Sequence, residues 1–430
     1  MKIDRGKTSQ APDIQVRREA LDTRRSFILE APAGSGKTAL LTARFLALLA
    51  DVGHPRQIMA VTFTRKAAAE MADRITRTLR QAQDRSYTAP PDSWEERLLE
   101  LARKALNVHP DWDILLQSPD AFLVDTFHGF CGRVARNWPL ESRTPPVFEL
   151  LDEIGQAALL DEAVAEYVHA FAVGDSRLDP AEIAAFQRRM VAANNSVRVI
   201  SNQLADLLAR RDRLGGLLTI FQGPQAQDEL EHRTEQLAEH YLGGLHDHFV
   251  QHKEDWLVLR NYLNEHKTVL AGALSADIPG PALRDVSAWQ SAANVFLVKA
   301  GTPRKQFKSA EFGQNFAKTH QADFILDLPP KIAWILNFTR AWPNAGDPTG
   351  FEALSDCMRL ARGALERFGK MMHARGLDFM ELELAALRAF NQADRPGDSL
   401  IFFHEHLRHI LVDEAQDMND NQVRILSTLT

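Results

Sequence analysis

The apolar positions of this chain fall into two patterns, and the change between them is its main organising feature. "SFILE" (Ser26–Glu30), "QIMAVTF" (Gln57–Phe63), "AFLVDTF" (Ala121–Phe127) and, far downstream, the start of "HILVDEAQD" (His409–Asp417) are continuous apolar runs. Continuous rather than alternating runs predict strands covered on both faces, hence a parallel sheet with helices either side. "TALLTARFLALLA", "TRKAAAEMADRITRTLR" and "HGFCGRVARNW" follow the first three runs and read as helices. From about Val147 to Leu365 the period changes to 3.6, as in "IGQAALLDEAVAEYVHAFA", "VISNQLADLLARRDRL" and "ELEHRTEQLAEHYLGGLHDHFVQH". Breaks fall at "AVGDSRLDP", "DIPGP" and "WPNAGDPTG". The pattern predicts an α/β domain over residues 1–145, interrupted by a helical insertion over 146–365 and resumed over 366–430.

Composition narrows the class without naming a chemistry. The 430 residues are 45% hydrophobic and 25% charged, which is ordinary for a globular protein. No apolar run approaches the roughly 20 residues of a membrane span, and "MKIDRGKTSQAPD" has no apolar core of a secretory signal. Cys131 and Cys357 make no disulfide framework, so the expectation is a cytoplasmic protein with reduced thiols and no membrane partner. A net charge of −7 argues against a surface coated for nucleic acid, but leaves room for a local basic channel.

The chemistry starts at "EAPAGSGKTALL" (Glu30–Leu41). Ala31, Pro32, Ala33, Gly34, Ser35, Gly36, Lys37 and Thr38 lie between an expected strand and an expected helix. Glycines there let backbone N–H groups wrap a phosphate, and the helix N-terminus adds positive potential. Lys37 would reach the β and γ phosphates of ATP, and Thr38 would ligate Mg²⁺. "ILVDEAQD" supplies the acidic partner: Asp413 for Mg²⁺, Glu414 for the attacking water, and Gln416 to sense the γ-phosphate. Adjacent acids at a strand end also suit a helix cap and first turn.

Two strand ends repeat a Thr-Phe pattern. Thr62, Phe63 and Thr64, followed by Lys66, place hydroxyls, an aromatic face and a helix N-terminus together, which suits a nucleic-acid backbone and a stacked base. The plainer alternative is a strand–turn–helix with Lys66 paired to Glu70 in the weaker orientation. Thr126, Phe127 and His128, with Arg133 beyond, repeat the arrangement on the same expected rim.

"APAGSGKT", "AVTFTRKAAAEMADRI", "VDTFHGFC" and "LVDEAQD" together resemble, in order, motifs I, Ia, Ib and II of the UvrD/Rep-type superfamily-one helicases. "EAPAGSGKT", "NWPLESRTPPVFELLDE" and "ARGLDFMELELAAL" look closest to the RecB and AddA branch of recombination exonuclease helicases. The resemblance implies a RecA-like P-loop domain and ATP-driven translocation on single-stranded DNA, usually 3′ to 5′, with strand separation in repair or recombination. It also implies contact of Thr62, Phe63, Thr126, Phe127 and His128 with the strand, and a nuclease or helicase partner subunit. Two departures stand out. The adenine-reading glutamine expected upstream of motif I is replaced, by alignment, by Arg17, with Gln15 two positions earlier. Motifs III to VI, a second RecA-like domain and a nuclease segment do not follow motif II, so a fragment is expected. A truncated, non-catalytic nucleotide- and DNA-binding module is the rival reading; a P-loop kinase or GTPase leaves both Thr-Phe strand ends unexplained.

Several other features carry less. "VKAGTPRKQFK" gathers Lys299, Arg304, Lys305 and Lys308 in a basic loop, either solvated or in contact with duplex DNA. His404, His406 and His409, and likewise His246 and His248, lack the spacing of a metal site. The tryptophans read as core or interface residues.

Overall fold

A computed structural model of the chain describes residues 14–430 apart from 31, 33–35, 92, 110, 113–120, 222–224, 341, 343–347 and 393–394. The contacts gather it into two compact units. One comprises the described residues up to Leu159 together with Gly369–Thr430, the other Leu160–Phe368. In the first unit the elements are α1 (Ile14–Glu19), α2 (Lys37–Leu49), β1 (Ile58–Thr62), α3 (Arg65–Gln83), α4 (Trp94–Val108), β2 (Leu123–Thr126) and α5 (Phe127–Asn137). It resumes with α6 (Phe379–Phe390), α7 (Asp398–His406), β3 (His409–Val412) and α8 (Asp420–Leu429).

The sheet has three parallel strands in the order β2-β1-β3. Every residue of the central strand β1 is buried, as its unbroken apolar run requires. Met59 pairs with Leu123 and Ile410, and Ala60 with Val124 and Leu411. Ile58 and Ala60 join Phe45, Leu46, Leu49, Met71, Ile75, Leu79, Ala102 and Leu411 in one core that draws on α2, α3 and α4. The mostly helical chain is thus organised, in this unit, around a small parallel sheet.

"SFILE" is not a strand. Ile28 is 96% exposed, and no ladder runs through Ser26–Glu30. Apolar character makes a strand only where a neighbouring backbone offers paired hydrogen bonds. Among the described residues the outer edge of β3 carries no partner.

The chain leaves and re-enters this unit at one place. Leu151 N–H donates to Leu377 C=O (2.9 Å) and Leu377 N–H to Glu149 C=O (2.8 Å). Gly376, at φ 142°, allows the approach: a Cβ there would lie 2.9 Å from Glu149 O. The returning α6 is therefore fixed against the departing segment.

The second unit is helical. Its core packs Phe249, Trp256, Trp289, Phe296, Phe312 and Phe316 together, and Trp256 and Trp289 are fully buried. Trp334, by contrast, is exposed and stacks on Phe338 at 5.4 Å. His246 bonds through Nδ1 to Pro279 O (2.9 Å).

The basic loop divides. Lys299, Lys305 and Lys308 are exposed. Arg304 is buried, paired with Glu311 at 2.5 Å, donating to Asn294 O at 2.9 Å, and lying over the Phe312 ring. Arg304 therefore leaves the set of residues offered to duplex DNA, because its charge is already engaged inside the fold. Breaking a buried pair strands the remaining charge. Arg304→Ala should lower the unfolding free energy by about 3–5 kcal/mol, and Lys305→Ala by no more than about 0.5 kcal/mol, in urea titrations.

Candidate nucleotide and nucleic-acid site

Parallel strands point their carboxyl ends the same way, and ligands of open α/β sheets bind outside those ends. Thr62 ends β1 opposite Thr126, which ends β2. Val61 lies opposite Val412, the last residue of β3, and Asp413 N–H donates to Val61 O (3.0 Å), extending the ladder by one bond. Thr62, Thr126 and Asp413 thereby stand on one rim, and the candidate residues follow each.

At the β3 end the side chains are linked. Lys37 opens α2, and its Nζ lies 3.6 Å from Glu414 Oε2. Gln416 Nε2 donates to that same oxygen. The Gln416 amide and the Lys37 ammonium hold the Glu414 carboxyl below its usual range. Burial and the adjacent Glu414 push Asp413 upward, partly offset by the Glu414 N–H on its Oδ1 (3.1 Å) and by Lys37. Glu414 occupies the left-handed region at φ 54°, a strained conformation for a residue with a side chain. Gly36, the residue before α2, is left-handed at φ 87° with no side-chain cap, so the first N–H groups of α2 have no side-chain acceptor from their cap. Thr38 lies in that first turn, its carbonyl taken by Thr42 Oγ1 at 2.9 Å.

Of the two upstream candidates, Arg17 is the one beside Gly36. A Cβ on Gly36 would lie 3.4 Å from Arg17 Nη1, and the guanidinium sits over the Trp94 ring at 5.7 Å. Gln15 turns its amide toward Glu19 (3.5 Å). Pro32 is exposed. Ala31, Ala33, Gly34 and Ser35 lie outside the described residues.

At the β1 and β2 ends the threonines act first as caps. Thr64 Oγ1 accepts from Ala67 N–H (3.1 Å) and starts α3, while Thr62 Oγ1 donates to Thr64 O (3.1 Å). Thr126 Oγ1 accepts from Gly129 N–H (2.9 Å) and starts α5. Phe63 is 37% exposed and offers its ring at the rim. Phe127 does not: at 4% exposure its ring belongs to the core, so the stacking face anticipated there is closed in this structure. The Thr-Phe pattern is the same at both strand ends, yet only one phenylalanine faces outward. His128 is half-buried, packed on Phe379 with ring centroids 4.5 Å apart, and its Nε2 meets Glu383 Oε1 at 3.1 Å. Arg133 is held by Asp125 at 2.9 Å. Lys66 is exposed, 3.9 Å from Glu70.

The charges at the helix starts are unusual. α3 opens with Arg65 and Lys66, α2 opens with Lys37, and none of α2, α3 and α5 has an acid in its first turn. A cation at a helix N-terminus opposes the macrodipole by about 0.3–1 kcal/mol, which a bound anion reverses.

The sequence model of one family, the UvrD/REP helicase N-terminal domain, matches residues 14–430. The chain belongs to this family. Among curated proteins it is similar to the A subunit of the ATP-dependent helicase/nuclease of Staphylococcus aureus (strain USA300), 22% identical over 442 residues, covering 95% of this chain and 32% of that protein. The same subunit of Anoxybacillus flavithermus is 33% identical over 142 residues, 32% of this chain and 10% of the relative. That of Latilactobacillus sakei is 32% identical over 138 residues, 32% of this chain and 14% of the relative. The chain spans about a third or less of the length of these relatives. Among the described residues no helix is long and apolar enough to cross a membrane.

For a UvrD/REP-family domain the donor set beside Lys37 fits a hard cation. Mg²⁺ takes oxygen ligands, usually one or two carboxylates with phosphate oxygens and water. The Thr38 hydroxyl and the Asp413 carboxylate are oxygen donors on segments tied together by the Lys37–Glu414 pair.

One residue of the rim's support was not legible. Glu383 is 2% exposed and collects hydrogen bonds from His128, Gln422 Nε2 (2.7 Å) and Asn419 Nδ2 (3.0 Å). Burial pushes its carboxyl upward, but these bonds prevail and hold it below the usual range. The available signal was the pair Glu381 and Glu383 inside the otherwise apolar "FMELELAAL".

Because folding raises the Asp413 pKa, its ionised form opposes folding above the ordinary value of 3.8, and the opposition vanishes once both states are protonated. Asp413→Asn should therefore melt higher than the wild type at about pH 7, with the gain disappearing near pH 3. The same variant should lose Mg²⁺-dependent nucleotide binding in fluorescence titrations.

Proposed function

We propose that this chain is the ATP-binding part of a DNA helicase or translocase, with nucleotide at the β3 end of the rim and single-stranded DNA along the β1 and β2 ends. What carries the reading is the linked group Lys37, Glu414 and Gln416 beside buried Asp413, on the same rim as the cationic start of α3. We assign the sheet-containing unit as the RecA-like domain and the helical unit as its insertion.

ATP phosphates compete with Glu414 for Lys37. When the ammonium moves to the β and γ phosphates, Glu414 gives up its cation and holds the attacking water. Glu414 accepts the water's proton as the oxygen attacks the γ-phosphorus and the bond to the leaving ADP oxygen breaks. Thr38 and Asp413 would hold Mg²⁺, which when bound would offset charge on the phosphate oxygens. Gln416, bonded to Glu414, follows whether the γ-phosphate is present. Arg17, whose guanidinium lies beside Gly36, is assigned to the nucleotide. On the DNA side Phe63 stacks a base, Lys66 and the α3 N-terminus take phosphates, and Thr62, Thr64, Thr126, Phe127 and His128 shape the rim. The exposed Lys299, Lys305 and Lys308 are assigned to duplex DNA.

In a longer protein this domain would drive 3′-to-5′ translocation and strand separation during repair or recombination in the cytoplasm, as a helicase subunit with a nuclease partner. The naming of the relatives as one subunit of an ATP-dependent helicase/nuclease supports that assignment.

Lys37→Ala should weaken Mg·ATP binding by about 10- to 100-fold, the worth of a hydrogen bond to a charged group. Glu414→Gln should keep binding and lose turnover. Binding that depends on Lys37, with no turnover by the wild type in the presence of single-stranded DNA, would instead mark a nucleotide- and DNA-binding module. Unchanged binding in Lys37→Ala would defeat the assignment.

Phe63→Ala should cost about 1–3 kcal/mol of affinity for oligothymidylate. Lys66→Ala should flatten the logarithmic salt dependence of that affinity by about 0.7. Both are read by fluorescence anisotropy at several salt concentrations, and two unchanged variants would remove DNA from this part of the rim.

A further inference from the structure

Glu383 is a buried carboxylate that receives hydrogen bonds from one histidine and three amide side chains. His128 Nε2 approaches Oε1 at 3.1 Å, Gln422 Nε2 donates at 2.7 Å, Asn419 Nδ2 reaches both oxygens at 3.0 and 3.1 Å, and Asn421 Nδ2 lies at 3.4 Å. Burying a carboxylate is costly before its hydrogen bonds are counted, and an apolar residue would fill the same space without that cost. The donors identify what the carboxylate joins. His128 is in the first turn of α5, immediately after the β2 end of the rim. Asn419 precedes α8, and six residues before it in sequence is Asp413.

Asn419 has two tasks. Its Oδ1 accepts from Gln422 N–H at 2.9 Å and so caps α8, and its Nδ2 grips Glu383. The segment between β3 and α8 is therefore pinned at both ends: by Asp413 N–H on Val61 O, and by Asn419 on Glu383. Between the pins stand Glu414, in its left-handed conformation, and Gln416.

We propose that Glu383 is a positioning residue that couples occupancy of the DNA rim to the 413–417 segment, through His128 on one side and Asn419 on the other. This rests on the assignment of nucleotide and DNA sites above. A strand that engages His128 changes what the ring gives to Glu383, and the carboxylate redistributes its hydrogen bonds among Asn419, Asn421 and Gln422. The pin at Asn419 then shifts, and with it Glu414 and Gln416. Nucleotide acts in reverse: drawing Lys37 away from Glu414 moves the same segment against the same pin. Coupling between two ligands is reciprocal, so either binding equilibrium reports it.

Asn419→Ser separates the two tasks. Serine caps a helix about as well as asparagine, but it is too short to carry a donor to Glu383, which keeps His128, Asn421 and Gln422. Glu383→Gln removes the charge at the centre of the group, and Asn419→Ser decides the matter if that variant fails to fold. The measurement is the affinity of the full chain for labelled oligothymidylate with Mg·ADP and with Mg·AMP-PNP. The wild-type ratio of affinities should differ from one by at least about fivefold and fall below about twofold in Asn419→Ser, with each ligand's affinity alone kept within about twofold. A wild-type ratio preserved in Asn419→Ser would overturn the proposal. So would a wild type that binds both ligands independently, or loss of binding to either ligand alone in Asn419→Ser. A wild type that binds neither ligand would overturn the functional assignment itself, and the coupling with it.

Discussion

The parallel pairing of β1 with β2 on one side and β3 on the other fixes where the candidate residues stand. Register places Thr62 beside Thr126 and Val61 beside Val412, and one further backbone bond, Asp413 N–H to Val61 O, carries the ladder into the acidic turn. Parallel strands need long crossovers, so the residues gathered on the rim come from distant parts of the chain. The longest detour, through the helical unit, returns beside its departure point at Glu149–Leu151 and Leu377. That closure lets α6 pack on the sheet-containing unit although a whole helical unit intervenes.

Several features of the rim oppose stability when taken singly. Asp413 is buried beside Glu414, Glu414 is left-handed, and cations open α2 and α3. Each departs from what a stable isolated domain prefers, and all lie within the same small region of one unit. Such local violations mark places where a ligand completes the chemistry. Under the proposed assignment a polyphosphate would supply an anion to the α2 N-terminus and compete with Glu414 for Lys37, Mg²⁺ would relieve Asp413, and a phosphate backbone would suit the start of α3.

The sequence revealed this fold where local pattern and burial agree. β1 is an apolar run buried at every residue, whereas β2 (LVDT) and β3 (HILV) are mostly half-buried at the sides of the sheet; the helices after them are amphipathic, with a threonine before α3. It misled where an identical local pattern meets different surroundings. "SFILE" is as apolar as β2 but has no ladder to join. Phe63 and Phe127 occupy the same place in the same Thr-Phe pattern, and only the packing around α5 encloses the second. Arg304 shares a loop with three exposed lysines, yet folds inward onto Glu311. Glu383 is the extreme case, since His128 lies 255 residues away in sequence and nothing local announces the partnership. Of the candidate site, Lys37, Asp413, Glu414 and Gln416 were legible as types at recognised spacings. The direct link between Lys37 and Glu414 required the fold.

Hydrogen exchange on the full chain, with Mg·AMP-PNP and oligothymidylate added separately, tests the division of the rim most directly. Nucleotide should slow amide exchange at residues 36–40 and 413–417, and oligothymidylate at 62–67 and 126–129, with a smaller change at 413–419. Protection of residues 36–40 by oligothymidylate as strong as that by nucleotide, or no protection of either strand end by oligothymidylate, would contradict a rim shared between nucleotide and DNA.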